Sequence, residues 1–127
     1  MAHAHHPVPV ISIVDDDPSV RRALRRLLRS AGYTVEVFES ALEFLDTRPV
    51  GRIACLVLDI RMDGMNGFEL QERLAAEQAA IPIIFMTAHD DARTRERAER
   101  AAPVAYLPKP FDGTVLLEAI QRAVEPA

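Results

Sequence analysis

The stretch ISIVDDDPSVRRAL, residues 11–24, carries an apolar, β-branched run into three consecutive aspartates and then into a helical pattern. Ile11, Ile13 and Val14 read as a strand buried on both faces. Pro18 suits the first position of a helix, and Asp17 just before it is the expected N-cap. The period that follows puts Val20, Leu24, Leu27, Leu28 and Ala31 on one stripe, with Arg21, Arg22, Arg25, Arg26 and Arg29 opposite. Gly32 is placed to end the helix. The stretch is one complete strand–turn–helix unit, and it leaves three like charges crowded at the strand's end.

The same alternation continues along the chain. Strand-like runs cover residues 8–14, 33–38, 53–58, 81–86 and 104–107, and helical patterns cover 41–46, 66–76, 91–101 and 113–124. Five such units imply an α/β fold with a five-stranded parallel sheet and helices on both faces. Runs such as CLVL and IIFM are apolar throughout, as a doubly covered sheet requires. The opening MAHAHHP holds three of the four histidines before any periodic segment begins. Residues 1–7 therefore read as a disordered lead or a cloning remnant, and residues 8–125 as one folded domain. No second domain is expected within these residues.

Composition excludes several classes of function. With 127 residues, 49% apolar and only 27% charged, the chain suits one globular core and not a disordered segment. A net charge of −4 offers no cationic face for a phosphate backbone, so direct nucleic-acid contact is not expected. Cys55 is the only cysteine, which rules out an internal disulfide or a thiolate metal site; it reads as a small buried hydrophobe. No apolar run approaches the ~20 residues that span a bilayer, and no secretory signal precedes the fold. No membrane contact is expected, and the cytoplasm is the expected location.

In a parallel sheet, chemistry gathers beyond the carboxyl ends of the strands. The first strand ends in Asp15, Asp16 and Asp17, the third in Asp59, the fourth in Thr87 and Ala88, and the fifth in Lys109. Clustered carboxylates repel, and a divalent cation removes that cost. Mg²⁺ suits an all-oxygen donor set and keeps room for a phosphate, whereas zinc-type ligands are absent from these ends. A lysine and a hydroxyl facing such a centre are what a transferred phosphoryl group needs. Each residue also has a plainer reading: Asp59 as a turn or cap residue, Thr87 as a β-branched strand residue, Lys109 as a solvated loop lysine. The arginine face of the first helix reads as solvated, although an acidic partner would also suit it. In DDARTRERAER, Asp91 with Arg95 and Glu96 with Arg100 have the spacing of helix-surface ion pairs.

Taken together, IVDDD, LVLDIRMDGMNG, IIFMTAH and AYLPKPFD resemble the receiver domain of two-component response regulators, from residue 8 to residue 124. The resemblance implies a flavodoxin-like (βα)5 fold with strand order 2-1-3-4-5, the order for which a response regulator is itself a standard illustration. It implies a phosphoacceptor signalling switch that takes a phosphoryl group onto Asp59 from a sensor histidine kinase or phosphotransfer protein. Asp15, Asp16 and Asp59, with the backbone carbonyl of Arg61, would hold Mg²⁺. Lys109, Thr87 and the Ala88 backbone N–H would contact the phosphoryl oxygens. Thr87 and Tyr106 would form the switch, although Tyr106 also reads as a half-buried strand aromatic with its hydroxyl in water. The side chains of Arg61 and His89 would tune the phosphoryl lifetime, and the Lys109–Pro110 bond would be cis. Such a domain assists its own phosphorylation and dephosphorylation without being an ordinary turnover enzyme. A downstream effector or output domain would read the face of the fourth helix, fifth strand and fifth helix, which leaves room for a phosphorylation-dependent homodimer. The first helix and neighbouring loops would dock the kinase.

Asp63 departs from the family pattern by standing where proline is usual, which removes a stiffening residue and adds a carboxylate near the metal. Two alternatives stand beside the receiver reading. One is a receiver-like interaction module that is never phosphorylated. The other rests on D-x-D-x-S at Asp15, Asp17 and Ser19, which resembles the signature of haloacid-dehalogenase-type phosphatases; against it, that family's acidic pair after the lysine is missing.

Overall fold

A computed structural model of the chain describes residues 9–48 and 52–124; the histidine-bearing lead and residue 8, where the first strand was expected to begin, lie outside them. Strands and helices alternate without exception: β1 (Val10–Val14), α1 (Pro18–Ser30), β2 (Thr34–Phe38), α2 (Ala41–Thr47), β3 (Ile53–Asp59), α3 (Gly67–Ala76), β4 (Ile83–Thr87), α4 (Ala92–Arg100), β5 (Ala105–Pro108) and α5 (Gly113–Val124). Every strand pairing is parallel, in the order β2-β1-β3-β4-β5. The expected flavodoxin-like fold is the observed one.

The period of two along each strand divides the core into two layers. Ile11, Ile13, Cys55, Val57, Ile84, Met86 and Leu107 meet Leu24 and Leu28 of α1 and Leu116, Ala119 and Ile120 of α5. On the opposite face Val14, Leu56, Leu58 and Phe85 meet Ala41 and Phe44 of α2, Phe68, Leu70 and Leu74 of α3, and Ala98 of α4. Each fully buried leucine or phenylalanine contributes roughly 1.5–3 kcal/mol. Phe68 seats α3 on β4 through an edge-on contact with Phe85, ring centroids 5.2 Å apart. Cys55 lies in this core with no exposed surface, and burial pushes its thiol up to about 12, as a small hydrophobe demands.

Local chemistry sets the element ends. Asp17 caps α1 by accepting from Ser19 N at 2.8 Å, with Pro18 at the first helical position, and Gly32 leaves the helix at φ +95°. β4 begins two residues later than the apolar run suggests, because Pro82 has no N–H for the ladder and serves only through its carbonyl, which accepts from Leu56 N. Asp91 caps α4 by accepting from Thr94 N at 2.7 Å. With that carboxylate committed, Arg95 pairs with Asp90 and not with Asp91; Glu96 and Arg100 form no ion pair either. Neither of the two expected helix-surface pairs therefore forms.

The strand order reverses between β1 and β3, and there the crevice of a doubly wound sheet opens. Gly67 is essential to that crevice. A Cβ at this position would lie 2.6 Å from the Asp59 carbonyl oxygen and 2.9 Å from Ile60 Cα. Only glycine lets α3 start so close to the end of β3, where Gly67 N donates to Ile60 O at 2.9 Å and Asn66 and Glu69 form a capping box. We expect Gly67→Ala to destabilise the domain by roughly 1–3 kcal/mol, despite alanine's better helix propensity. The urea midpoint checks this, and an unchanged midpoint would show that the loop can yield.

Candidate functional site

Asp15, Asp16 and Asp59 come together at the β1/β3 end, each offering a carboxylate oxygen within 4.8 Å of the others. Asp15 is fully buried, Asp59 nearly so, and Asp16 is exposed. Asp15 is held from three sides. Its Oδ1 accepts from Asp17 N at 2.9 Å, its Oδ2 accepts from Lys109 Nζ at 2.8 Å, and its backbone carbonyl accepts from Arg21 Nη1 at 2.8 Å. Lys109 reaches from the end of β5, and its Nζ lies 3.5 Å from Asp59 Oδ1. The Lys109–Pro110 bond is cis.

Thr87, fully buried, is the last residue of β4; its Oγ1 accepts from His89 N at 3.0 Å, and its carbonyl accepts from Lys109 N at 2.7 Å. Ala88, His89 and Arg61 stand exposed at the rim. Asp63 is also exposed and is not among the three carboxylates that meet, so at this substituted position the carboxylate turns outward; Gly64 beside it adopts φ +77°. Tyr106 is half-buried, and its hydroxyl is not left to water: it donates to Asp90 Oδ1 at 2.9 Å. Burial first, and the Asp90 carboxylate second, push the Tyr106 hydroxyl up to about 12. The Arg95 hydrogen bond, then that of Tyr106, lowers the Asp90 carboxyl below its usual range.

Two contributors were not readable from the sequence. Arg21 belongs by period to the solvated arginine face, yet it turns back to hold the Asp15 carbonyl, a tertiary choice with no sequence signal. Asp90 carries no motif, although a second acidic residue beside the Asp91 cap marked a carboxylate without an assigned task.

Electrostatics sets the character of the site. Burial raises the Asp59 carboxyl from 3.8 to about 6, the Asp15 charge adds to the rise, and Lys109 and its hydrogen bond oppose it. Burial disfavours the Lys109 ammonium, but the hydrogen bond it donates to Asp15 and the charges of Asp59 and Asp15 outweigh it, and its pKa rises. An all-oxygen set of three converging carboxylates, balanced by one ammonium, fits a hard divalent cation. The phosphatase alternative fits less well, because both oxygens of its would-be nucleophile Asp15 are already bonded and Asp17 is used as a cap.

Comparison with known proteins decides the family: the family model "Response regulator receiver domain" matches residues 11–121. The chain belongs to that family. The receiver is 40% identical over 120 residues to "Transcriptional regulatory protein FixJ" of Bradyrhizobium diazoefficiens, covering 92% of this chain and 58% of the relative. It is 42% identical over 125 residues to "Response regulator protein TmoT" of Ectopseudomonas mendocina, covering 97% and 56%. The receiver thus spans a little over half the length of these curated relatives. Among solved structures, the response regulator StyR superposes with TM-score 0.85 at 50% identity, covering 92% of this chain and 59% of that one. The FixJ-N crystal structure does so with TM-score 0.84 at 39% identity, covering 94% and 95%. The phosphatase and inert-module alternatives are not favoured. Among the described residues no helix is long and apolar enough to cross a membrane.

The raised Asp59 pKa has a stability consequence for the metal-free receiver. Because the folded value lies above the unfolded one, the contribution is fully present below about 3.8 and is lost as pH rises through about 6. Ionising Asp59 then costs the fold up to roughly 3 kcal/mol. We expect Asp59→Asn to be more stable than the parent in EDTA at pH 7.5, by roughly 1–3 kcal/mol after allowing for the weakened Lys109 contact. That advantage should shrink as pH falls toward 4. Urea titrations at several pH values test it, and a pH-independent difference would contradict the assigned cause.

Proposed function

We propose that Asp59 is the phosphoacceptor of a signalling switch. The observation that carries this reading is the setting of its carboxylate. It is nearly buried at the strand end, Lys109 lies 3.5 Å away on one side, and the carboxylates of Asp15 and Asp16 converge with it on the other. In the transfer, an Asp59 carboxylate oxygen attacks phosphorus, and the P–N bond of a phosphohistidine on a sensor kinase or phosphotransfer protein breaks. An acyl phosphate forms on Asp59, and the imidazole leaves with the electron pair. Even in the metal-free site a carboxyl near 6 is mostly ionised at neutral pH, as the attack requires.

Mg²⁺, held by Asp15, Asp16, Asp59 and the Arg61 carbonyl, would neutralise charge on the transferring group. Lys109 donates to the phosphoryl oxygens once Asp59 is modified, since its Nζ already lies between Asp15 and Asp59. The Thr87 hydroxyl and the Ala88 N–H, at the end of the adjoining strand, would do the same. Arg61 and His89, each exposed and two residues beyond Asp59 and Thr87, would tune the lifetime of the acyl phosphate. The domain thereby assists its own phosphorylation and hydrolysis, within the folded unit of residues 8–125.

The added charge draws Thr87 and Lys109 inward and favours a second arrangement of the β4–α4 and β5–α5 loops, with Tyr106 following. The face of α4, β5 and α5 would carry that change to an effector or output domain, or to a second receiver. The names of several relatives favour transcriptional control as the output of the whole protein. The cytoplasm is the compartment this reading requires.

Incubation with Mg²⁺ and acetyl phosphate or phosphoramidate, followed by mass spectrometry, should place the label on Asp59. Asp59→Asn should abolish it while leaving the fold intact. Label on Asp15 would favour the phosphatase chemistry, and no label from any donor would favour an inert module. We expect Lys109→Ala to retain Mg²⁺ binding but to lose the phosphorylation-dependent change in amide NMR shifts; an unaltered response would contradict its role.

A further inference from the structure

Three segments of the switch region are tied to one carboxylate that the phosphoacceptor chemistry does not use. Asp90 Oδ1 accepts from the Tyr106 hydroxyl of β5 at 2.9 Å and from Arg95 Nε of α4 at 3.2 Å, while its Oδ2 accepts from Arg95 Nη2 at 2.5 Å. The Arg95 guanidinium also lies over the Tyr106 ring, 6.0 Å from its centroid. The pair with arginine is bidentate, which adds geometric definition to an otherwise exposed contact. Asp90 sits in the short connection between β4 and α4. That connection starts at Thr87, whose Oγ1 accepts from His89 N, and stops at Asp91, whose carboxylate caps α4 through Thr94 N. With both ends fastened, the connection has little slack. A displacement of the Thr87 hydroxyl toward Asp59 would pull on His89 and hence on Asp90, and would loosen the contacts to Arg95 and Tyr106.

We propose that Asp90 and Arg95 are positioning residues that bias the switch. They latch Tyr106 of β5 to the β4–α4 connection and thereby oppose the arrangement in which Thr87 turns toward a phosphoryl group on Asp59. The inference rests on the reading of Asp59 as the acceptor. A latch made in one arrangement and strained in the other shifts their ratio by its differential strength alone. For exposed contacts sharing a single carboxylate, that shift is about threefold.

The test uses the full chain with Asp90→Ala, Arg95→Ala, Tyr106→Phe and the double variant Asp90→Ala/Tyr106→Phe. With Mg²⁺ and limiting acetyl phosphate, Asp90→Ala should raise the labelling of Asp59 about threefold over the parent, without a matching loss of stability in urea. The double variant should equal Asp90→Ala, because the Tyr106 hydroxyl acts through Asp90. Labelling that is unchanged or reduced in Asp90→Ala, or fully additive in the double variant, would overturn the latch while leaving Asp59 as acceptor. A second measurement needs no donor. The ring signals of Tyr106, one of only two tyrosines, should shift in both Asp90→Ala and Arg95→Ala spectra. Unmoved ring signals would also overturn the latch. Absence of label on Asp59 in every protein would overturn the acceptor reading and the biasing role together.

Discussion

Three carboxylates held within 4.8 Å of one another, against a single ammonium, form the constraint around which the rest of the molecule is arranged. At an effective dielectric of about 20, unit charges 4 Å apart interact by about 4 kcal/mol, so each uncompensated pair is a substantial fraction of a domain's net stability. Lys109 bonds Asp15 directly and stands farther from Asp59, and this uneven sharing sets the character of the two acids. Asp15 becomes the bonded, immobile member. Asp59 stays under-compensated, with its pKa raised by burial and by its neighbour. A site that is electrostatically unsatisfied in this way gains from an added cation.

The fold supports that strain by holding the backbone rather than the carboxylates. Asp15 is fixed through its carbonyl by Arg21 and through Oδ1 by the amide that opens α1, and Asp59 ends a strand paired on both sides. Gly67 allows the next helix to begin directly against the Asp59 carbonyl. Two apolar layers, one beneath α1 and α5 and the other beneath α2, α3 and α4, then lock the strand ends in register. The acidic cluster therefore survives because the residues carrying it have no alternative backbone path. Exposed Asp16 is the exception, with its orientation set mainly by the peptide that Arg21 holds.

The other side of the rim is built from weaker contacts. From Thr87 onward, hydrogen bonds run out to the exposed His89, Asp90 and Arg95: His89 to Thr87, Tyr106 to Asp90, and Arg95 to Asp90. Exposed contacts of this kind are individually worth little and are readily exchanged. The molecule thus joins an immobile acidic half, on β1 and β3, to a half at β4, α4 and β5 whose contacts can be rearranged. That division suits a device in which a local charge change must alter a surface without disturbing the core.

Much of this was written in the sequence, because strand and helix periods, the capping Asp17, Pro18 and Gly32, and the apolar runs are local signals that tertiary packing did not have to override. The alternation determined a parallel sheet, and a parallel sheet places Asp15, Asp16, Asp59, Thr87 and Lys109 at one edge whatever the details. Strand order came by resemblance and not by derivation, since periodicity alone does not say which strands are neighbours. What only the tertiary structure decided is how each polar side chain chooses among competing partners: Lys109 toward Asp15 first and Tyr106 onto a loop carboxylate and not water, both across the fold, and Arg21 onto a carbonyl and not into solvent and Arg95 to Asp90 and not Asp91, both within a few residues. Backbone pattern is set by the period of apolar residues along the chain, but such choices depend on side-chain geometry that is fixed only once the strand ends and the helices around them are in place.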